Sequence, residues 1–429
     1  MRPTTLTLGL AALLAITAPA AAQQQERLGA DQPTAAGRSQ AKALGFAGDR
    51  VWLAVGFGNT FMVTTRAGNV IVDTSTLPNV ARHRALLQAV SKAPIRDILL
   101  THAHGDHTGG VAAWKEKGTH VVGQANEVEF RNYQARLEGF FAIRNAAQYN
   151  AAQPRTVANE NPGNFAAPPL ADVLVEKDYR FKLGDLTFDC FAAPGETPDH
   201  MNVWIPELKA VFIGDNYYAS FPNLYTLRGT EPRPALNYVA SLNRVLALKP
   251  EIVFPSHGMP IVGAENVRRT LTQYRDAILY VHDATVAGMN RGQDVFTLMK
   301  TIKLPKALEV GEGYGALTWS IRGIYEGYAG WFDTDPATMY PIAPSDADAE
   351  LTKLAGGPDP IAARAEALVE ANPALALRLT SAALVADPRN KAALTARRHA
   401  LQALLKASKN SNESGWLNAG LAKVDAALK

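Results

Sequence analysis

The sequence of 429 residues has only one cysteine, Cys190, so it cannot form an intrachain disulfide, and its stability must come from the core, from metals or from a partner subunit. It has little net charge: 43 Lys and Arg against 40 Asp and Glu give a formal charge of +3, which does not favour a nucleic-acid partner. With 47% hydrophobic residues, and with 33 Gly and 26 Pro scattered along the chain, it is typical of a globular protein of two or three domains.

The first residues are predicted to form a cleaved signal peptide. Met1 and Arg2 precede an apolar run over residues 6–16, and the small residues 20–22 are typical of a cleavage site after Ala22. The apolar run is shorter than the roughly 20 residues that a membrane span needs, so an uncleaved anchor is the weaker alternative. We therefore expect a periplasmic or secreted protein with no membrane span in its mature form.

The rest of the chain divides into two parts. Short β-rich runs separated by turns and helical stretches extend to about residue 263, which is typical of a sheet-rich α/β unit. Helical periodicity dominates from residue 267 onward. The predicted organisation is thus a signal peptide over residues 1–22, a catalytic domain over residues 23–266 and an α-helical packing or subunit-contact domain over residues 267–429.

The chemical information is concentrated in residues 101–110. Three histidines and one aspartate lie there within six residues, a density that core or surface packing does not explain and that a pair of metal ions requires. In an extended loop His102 and His104 point the same way and can reach one ion. Asp106 and His107 follow a turn and can reach a second ion.

A binuclear site needs further ligands, and candidates follow three later predicted strands. The predicted ligands are His102, His104 and Glu196 for the first ion, Asp106, His107 and His257 for the second ion, and Asp215 as a bridge. Zinc lowers the pKa of a bound water towards about 7, which provides a hydroxide nucleophile near neutral pH. Asp106 and Asp215, the carboxylates among the ligands of the second ion and the bridge, are the predicted catalytic residues. Iron and manganese also occupy such mixed sites, so the native metal stays open.

Three other residues near these ligands have more than one interpretation. His200 could line the pocket or support a ligand, and direct ligation is the weaker alternative. Asp73, at the end of a predicted strand, is either a turn residue or an acceptor that orients the ligand loop, and we favour the acceptor. Cys190 lies within a predicted strand, where a buried inert thiol is the favoured role.

The motif at residues 102–110, followed in order by Glu196, Asp215 and His257, resembles the metallo-β-lactamase superfamily. This resemblance implies an αββα sandwich with a binuclear, usually zinc, site at one edge of its sheets. The motif is specific for the fold but says little about the substrate, because the superfamily cleaves lactams, thioesters, lactones, phosphoesters and sulfate esters.

Further segments are similar to the alkylsulfatases, the zinc-dependent sulfatases of this superfamily. Residues 193–198 place Glu196 where lactamases and thioesterases of this fold usually carry a histidine. Four segments of the helical half resemble the alkylsulfatase dimerisation domain: residues 274–276, 282–283, 327–333 and 412–416. This resemblance implies a homodimer. The resemblance also implies that Asn223 and Arg228 hold the sulfate group. An amide and a guanidinium fork can bind a tetrahedral oxyanion.

Two departures accompany this resemblance. Asp215 stands where alkylsulfatases carry glutamate, and aspartate is commoner in the wider superfamily, so another ester remains an alternative substrate. Longer family members continue into a sterol-carrier-like domain, whereas this sequence stops at Lys429, so no preference for long alkyl chains is predicted.

The sequence therefore predicts an α/β protein, a metallo-β-lactamase αββα sandwich followed by an all-α dimerisation domain, with two zinc ions per subunit. The predicted function is hydrolysis of organic (alkyl) sulfate monoesters to sulfate and an alcohol by a homodimer. One alternative is a hydrolase of the same fold that acts on a lactam, lactone or phosphoester. A non-catalytic, metal-stabilised binding protein is the alternative from another class. The general acid and the choice between attack at carbon and attack at sulfur stay open.

Overall fold

The structure is a computed structural model that describes residues 40–149 and 169–429. The predicted signal peptide, residues 1–22, lies outside the described residues. Among the residues described, no helix combines the length and the hydropathy that crossing a membrane requires.

Two mixed β-sheets form the centre of the described part of the chain. The seven-stranded sheet runs in the order β1 (Leu44–Phe46), β2 (Val51–Ala54), β3 (Thr60–Thr65), β4 (Gly68–Val72), β5 (Ile95–Leu99), β6 (His120–Gln124) and β7 (Val173–Val175). The six-stranded sheet runs in the order β13 (Ile261–Val262), β12 (Ile252–Pro255), β11 (Ala210–Gly214), β10 (Met201–Ile205), β9 (Leu186–Ala192) and β8 (Asp178–Leu183).

Parallel pairing in both sheets places several strand ends at one edge. In the first sheet β1 to β4 pair antiparallel, and β4 to β7 pair parallel. In the second sheet β11 pairs parallel with β12, whereas the other neighbouring strands pair antiparallel. Every residue of β4 and β11 is buried, as expected for strands covered on both faces.

Helices cover the outer faces of the sheets and form the second half of the chain. Those on the first half are α1 (Val80–Gln88), α2 (Gly105–Thr108), α3 (Val111–Trp114), α4 (Glu127–Arg136), α5 (Glu138–Gln148) and α6 (Ala235–Ala247). Those that follow are α7 (Ala264–Asn290), α8 (Val295–Thr301), α9 (Leu317–Ala329), α10 (Pro344–Leu354), α11 (Pro358–Leu368), α12 (Pro373–Ala386), α13 (Lys391–Ala407) and α14 (Ser411–Ala427). Single 3-10 turns span Leu77–Asn79, Pro206–Leu208, Lys306–Leu308 and Pro336–Met339.

Three apolar layers account for this arrangement. The layer between the sheets includes Phe61 and Phe212, whose ring centroids are 5.2 Å apart and which come from opposite sheets. A second layer packs Leu87 and Trp114 against the outer face of the first sheet. A third layer packs α6 and α7 against the outer face of the second sheet. Helix, sheet, sheet and helix follow each other, which confirms the predicted αββα sandwich.

Helix α7 links the two predicted domains. It begins at Ala264, and its buried residues Val267, Leu271 and Ile278 share one core with Val253 of β12. Helix α7 is therefore an outer layer of the sandwich as well as the first helix of the predicted second domain. The boundary between residues 266 and 267 stays a prediction.

Candidate metal centre

The predicted ligands come together where the strands end. Residues 101–107 follow β5, Asp215 follows β11, and His257 follows β12. Close packing of the loops fixes this edge: the peptide N–H and the hydroxyl of Thr74 both donate to the carbonyl of His107, each at 2.7 Å. The structure thus assembles side chains that are far apart in the sequence at one site.

Four residues form what we call the acidic half: Asp106, His107, Asp215 and His257. Each offers one ligand atom, and these four atoms all lie within 4.8 Å of one another. The Nε2 atom of His257 is 3.2 Å from carboxylate oxygens of both Asp106 and Asp215. The Nε2 atom of His107 is 3.4 Å from the same Asp215 oxygen. Two imidazoles and two carboxylates at this spacing suit a divalent cation.

The charges within the acidic half depend on each other. Burial disfavours a charged imidazole, but the neighbouring carboxylates outweigh it, so the pKa of His107 is well above its usual value and that of His257 rises to about 10. The two imidazoles in turn outweigh burial at the aspartates, and the pKa values of Asp106 and Asp215 lie well below their usual value. A cation that binds these four residues must therefore displace protons from the histidines.

The other three predicted ligands form what we call the cationic half: His102, His104 and Glu196, with the guanidinium of Arg233. The Nε2 atom of His102 is 2.8 Å from Nδ1 of His104 and 4.0 Å from the Oδ2 atom of Asp215. The Oε1 atom of Glu196 accepts a hydrogen bond from Arg233 at 2.6 Å, and both side chains are buried. This half thus adjoins the acidic half at Asp215 and contains a fixed positive charge.

Burial controls the pKa values in the cationic half. It lowers the pKa values of His102 and His104 well below the usual value, with nearby imidazoles or arginines adding to the effect. Both imidazoles are therefore neutral, which is the form that binds metals. Burial also raises the pKa of Glu196, to about 7, although Arg233 opposes this shift.

Unpaired polar atoms test whether a metal fits this site. Among the described residues, His107 Nε2, Asp215 Oδ1 and Glu196 Oε2 are buried and have no hydrogen-bond partner. Leaving such atoms unpaired is costly, and coordination to a cation would satisfy them. Imidazole nitrogens and carboxylate oxygens are typical ligands of zinc and related metals. The residues of the acidic half fit a metal ion, and the cationic half offers neutral imidazoles and one unpaired carboxylate oxygen.

Asp73 holds three of the converging segments together. Its carboxylate accepts hydrogen bonds from the peptide N–H and hydroxyl of Thr101, from the hydroxyl of Ser256 at 2.6 Å and from Nδ1 of His107 at 2.9 Å. Asp73 itself adopts a left-handed backbone conformation with φ of 54°. It therefore acts as an acceptor that orients His107, a predicted ligand, as favoured from the sequence.

His200 supports the backbone of Asp215. Its Nε2 accepts a hydrogen bond from the peptide N–H of Asp215 at 3.1 Å, and its ring stacks on His102 with centroids 5.1 Å apart. A side chain at Gly214 would place its Cβ 2.3 Å from Nε2 of His200, so this close approach requires glycine. These contacts place His200 beside the ligands and direct its Nε2 at the backbone.

A cavity of about 220 Å³ opens beside the two halves. Its lining residues are Phe57, Thr76, His104, Gly105, Asp106, Gln134, Asn145, Tyr149, Glu196, Asp215, Arg228 and Tyr314. The Nη2 atom of Arg228 lies 3.5 Å from Nε2 of His104, so the guanidinium borders the ligands. Asn223, the other predicted sulfate-binding residue, is not among these lining residues; it is buried, its carbonyl accepts from Arg233 at 3.0 Å, and its side-chain Oδ1 is unpaired among the described residues.

Sequence reasoning missed three residues of this site. Arg233 lies between two prolines, and Tyr314 lies between two glycines, which mark turns but not buried partners. Tyr149 follows α5, and its hydroxyl is 3.2 Å from that of Tyr314 across the cavity wall. The pairings of all three residues depend on contacts between distant segments.

Two family models match the chain. The metallo-beta-lactamase superfamily model matches residues 53–257, and the alkyl sulfatase dimerisation model matches residues 296–425. A linear primary-alkylsulfatase from Pseudomonas sp. is 31% identical over 378 residues, which cover 83% of this chain and 72% of that protein.

Two further proteins are similar but longer. An (R)-specific secondary-alkylsulfatase from Pseudomonas sp. is 27% identical over 379 residues, which cover 81% of this chain and 57% of that protein. The solved structure of a stereoselective inverting sec-alkylsulfatase from Pseudomonas sp. aligns with a TM-score of 0.77 at 23% identity. That alignment covers 88% of this chain and 64% of the solved one, and it shows a common fold. This chain thus spans less than two thirds of the length of these two relatives.

Proposed function

This chain belongs to the alkylsulfatases of the metallo-β-lactamase superfamily, and we propose that it is a metal-dependent hydrolase of organic sulfate monoesters. The products would be sulfate and an alcohol. The observation that carries this proposal is one cavity lined at once by residues of both ligand halves and by the guanidinium of Arg228. Such a cavity brings a metal site and an oxyanion-binding group to the same small molecule.

The metal centre is proposed to hold two zinc ions. His102, His104 and Glu196 would hold one ion, and Asp106, His107 and His257 the other, with Asp215 shared by both. When bound, such ions supply a water of lowered pKa and withdraw charge from the ester. The buried unpaired atoms of His107, Asp215 and Glu196 support this assignment, because coordination would satisfy each of them.

Arg228 and Asn223 are proposed to hold the sulfate group. A guanidinium keeps its charge at every physiological pH, so Arg228 can pair with a sulfate ester throughout the reaction. Its fork fits two oxygens of a tetrahedral anion, and the amide of Asn223 would add one further contact. Charge that develops on the sulfate side in the transition state would be stabilised by the same guanidinium.

Part of the cavity wall is aromatic and suits the organic part of an ester. The ring of Phe57 lies 5.4 Å from that of His257 and 6.1 Å from that of Tyr149, measured between centroids. The hydroxyl of Tyr314 lies 3.2 Å from that of Tyr149, and Tyr314 lines the cavity, so this hydroxyl can donate a hydrogen bond into it. These groups would orient the alcohol portion and exclude water from it.

The organisation of the protein around this site is also a proposal. We propose a homodimer formed through the region that matches the dimerisation model, residues 296–425. We propose export to the periplasm or beyond, which the N-terminal sequence supports, and a division into residues 23–266 and residues 267–429.

The test is sulfate release from a medium-chain alkyl sulfate by the purified protein. Release should stop after chelation and return with zinc, because the proposal requires the metal for turnover. A protein that carries two metals per chain and releases no sulfate would contradict the proposal. Lactams, lactones and phosphoesters are then the substrates to assay.

A further inference from the structure

The last helix of the chain, α14, reaches back to the cavity of its own subunit. Its first residues contact two segments that line the cavity, the loop 311–315, which carries Tyr314, and helix α5. The dimerisation model covers α14, but these contacts lie within one chain. A helix assigned to subunit contact therefore also borders the proposed active site.

The loop 311–315 is held by the start of α14. The side-chain amide of Asn410 donates to the carbonyls of Glu312, Tyr314 and Gly315 at 2.7, 2.9 and 3.3 Å. The amide of Asn412 donates to the carbonyl of Tyr314 at 2.9 Å. Both asparagine side chains are buried, so the start of α14 and the loop 311–315 are joined by four hydrogen bonds from side chains with little exposure to water.

The same loop contacts the segment that leads to the sulfate-binding residues. The peptide N–H of Tyr314 donates to the hydroxyl of Ser220 at 3.0 Å, and Ser220 Oγ donates to the carbonyl of Gly311 at 3.1 Å. A Cβ added at Gly315 would lie 2.3 Å from the carbonyl oxygen of Phe221. The loop is thus packed between α14 and the residues just before Asn223.

Helix α5 is the second segment that α14 contacts. A Cβ added at Gly415 would lie 1.8 Å from the carbonyl oxygen of Gln148, so the two helices touch where only glycine fits. The indole N–H of Trp416 donates to the side-chain carbonyl of Gln148 at 3.3 Å. The ring of Trp416 also lies 5.4 Å from the guanidinium carbon of Arg144.

Arg144 connects this contact to Arg228. Its Nε donates to the backbone carbonyl of Arg228 at 2.6 Å, and its Nη2 donates to that of Leu227. Trp416 therefore packs on a side chain that fixes the backbone of the residue proposed to bind sulfate.

We infer that the start of α14, residues 410–416 including the N-cap Asn410, is a positioning element of the active site in the same chain. It fixes Tyr314 through Asn410 and Asn412, and it fixes the backbone of Arg228 through Trp416 and Arg144. None of these four positioning residues needs to touch the substrate. The inference rests on the proposed function for its kinetic consequence and on the contacts alone for its structural one.

The first test is Asn410→Ser in the full-length protein. Serine keeps an oxygen that caps α14 but removes the amide that donates to the loop 311–315. We expect faster hydrogen exchange in residues 311–315 and a fall of kcat/KM for the alkyl sulfate of about tenfold, because small displacements of binding groups lower rates strongly. Metal content should not change. The matched control is Asn390→Ser, since Asn390 caps α13 and donates to Asp359 away from the cavity.

The second test is Gly415→Ala, which forces α14 and α5 apart. We expect faster exchange in residues 223–231 and a similar loss of kcat/KM with unchanged metal content. Gly327→Ala is the control, because its Cβ would meet no atom within 4 Å.

The inference would be overturned if hydrogen exchange in the variants matched that in their controls. It would also be overturned if hydrogen exchange were faster but kcat/KM did not change. If the native protein releases no sulfate, the proposed function fails separately, and the exchange measurements alone decide the positioning role.

Discussion

The two halves of the candidate metal centre balance their charge in different ways. In the acidic half, the carboxylates of Asp106 and Asp215 are balanced by protons on His107 and His257, whose pKa values are raised. In the cationic half, Glu196 is balanced by the permanent charge of Arg233 at 2.6 Å. A metal can replace protons but not a guanidinium. We therefore expect the acidic half to bind its metal more tightly, with the cationic half filling second.

The largest effect should come from Asp215→Ala, because Asp215 belongs to the acidic half and lies 4.0 Å from His102 of the other half. We expect a fall in kcat/KM of at least about 10³-fold, since the site would lose the carboxylate that we propose to be shared by two metals. Metal retained per chain should fall as well, as measured by elemental analysis.

Asp185→Ala is a matched control for the loss of a carboxylate. Asp185 pairs with Arg50 at 2.9 Å in the turn between β8 and β9, so activity and metal content should not change. Full metal content and activity in Asp215→Ala would contradict the proposal that Asp215 is a ligand shared by the two halves. The two halves would then bind metal independently of this carboxylate.

The next largest effect is expected for Arg228→Ala, which leaves the ligands of both halves in place. The variant should lose about 2 to 4 kcal/mol of transition-state stabilisation, roughly 10²- to 10³-fold in kcat/KM, with unchanged metal content. Arg136→Ala is the control, because Arg136 pairs with Glu129 on an exposed part of α4. Arg228 lies 3.5 Å from His104, so it could also support metal binding in the cationic half. Loss of metal from Arg228→Ala would show that it does and would contradict a role in sulfate binding alone.

A smaller effect should follow from Asp73→Asn, which acts on the acidic half through His107. Asp73 orients His107, and the amide would place a donor where the carboxylate accepts three side-chain bonds. Substitution of such supporting groups typically lowers metal affinity 10- to 100-fold. Calorimetric zinc titration should show weaker binding of the first, tighter equivalent. Asp97→Asn in the middle of β5 provides a control, and equal titrations of both variants would argue against the role of Asp73.

The sequence predicted the fold and the location of the site well. Strand and helix periodicity predicted a sheet-rich unit ahead of a helical half, whereas the resemblance of residues 102–110, residues 193–198 and the helical segments to known families implied the αββα sandwich and the alkylsulfatase family; all of these are confirmed. These patterns can be recognised from the sequence because strand periodicity and ligand spacing depend on residues that are close together in the chain. The assignment of each ligand stays a prediction.

The contacts that make the two halves different could not be predicted. The pairing of Arg233 with Glu196 joins residues 37 positions apart, and both are buried charges, which composition and periodicity cannot locate. The packing of α7 on the second sheet and of α14 on α5 likewise depends on side chains that meet only after folding.

Arg233→Met should have the smallest of these effects, and its effect on metal affinity should have the opposite sign to that of Asp73→Asn. Without a metal, this variant leaves Glu196 buried without its partner, so the melting temperature of the metal-free protein should fall. Zinc can then neutralise the negative charge of Glu196 without electrostatic repulsion from a guanidinium. We expect the second equivalent of zinc to bind roughly 3- to 10-fold more tightly, an effect of about 1 kcal/mol, and zinc to raise the melting temperature more than in the native protein.

Arg233→Lys separates charge from geometry in the same experiment. Lysine keeps the positive charge but loses the planar guanidinium, so the second equivalent should bind about as in the native protein if charge sets the affinity. If both variants bind zinc more weakly, Arg233 acts by holding Glu196 Oε1 so that Oε2 faces the metal. In that case the difference between the halves would come from how each carboxylate is oriented, because removing the charge would not have strengthened binding.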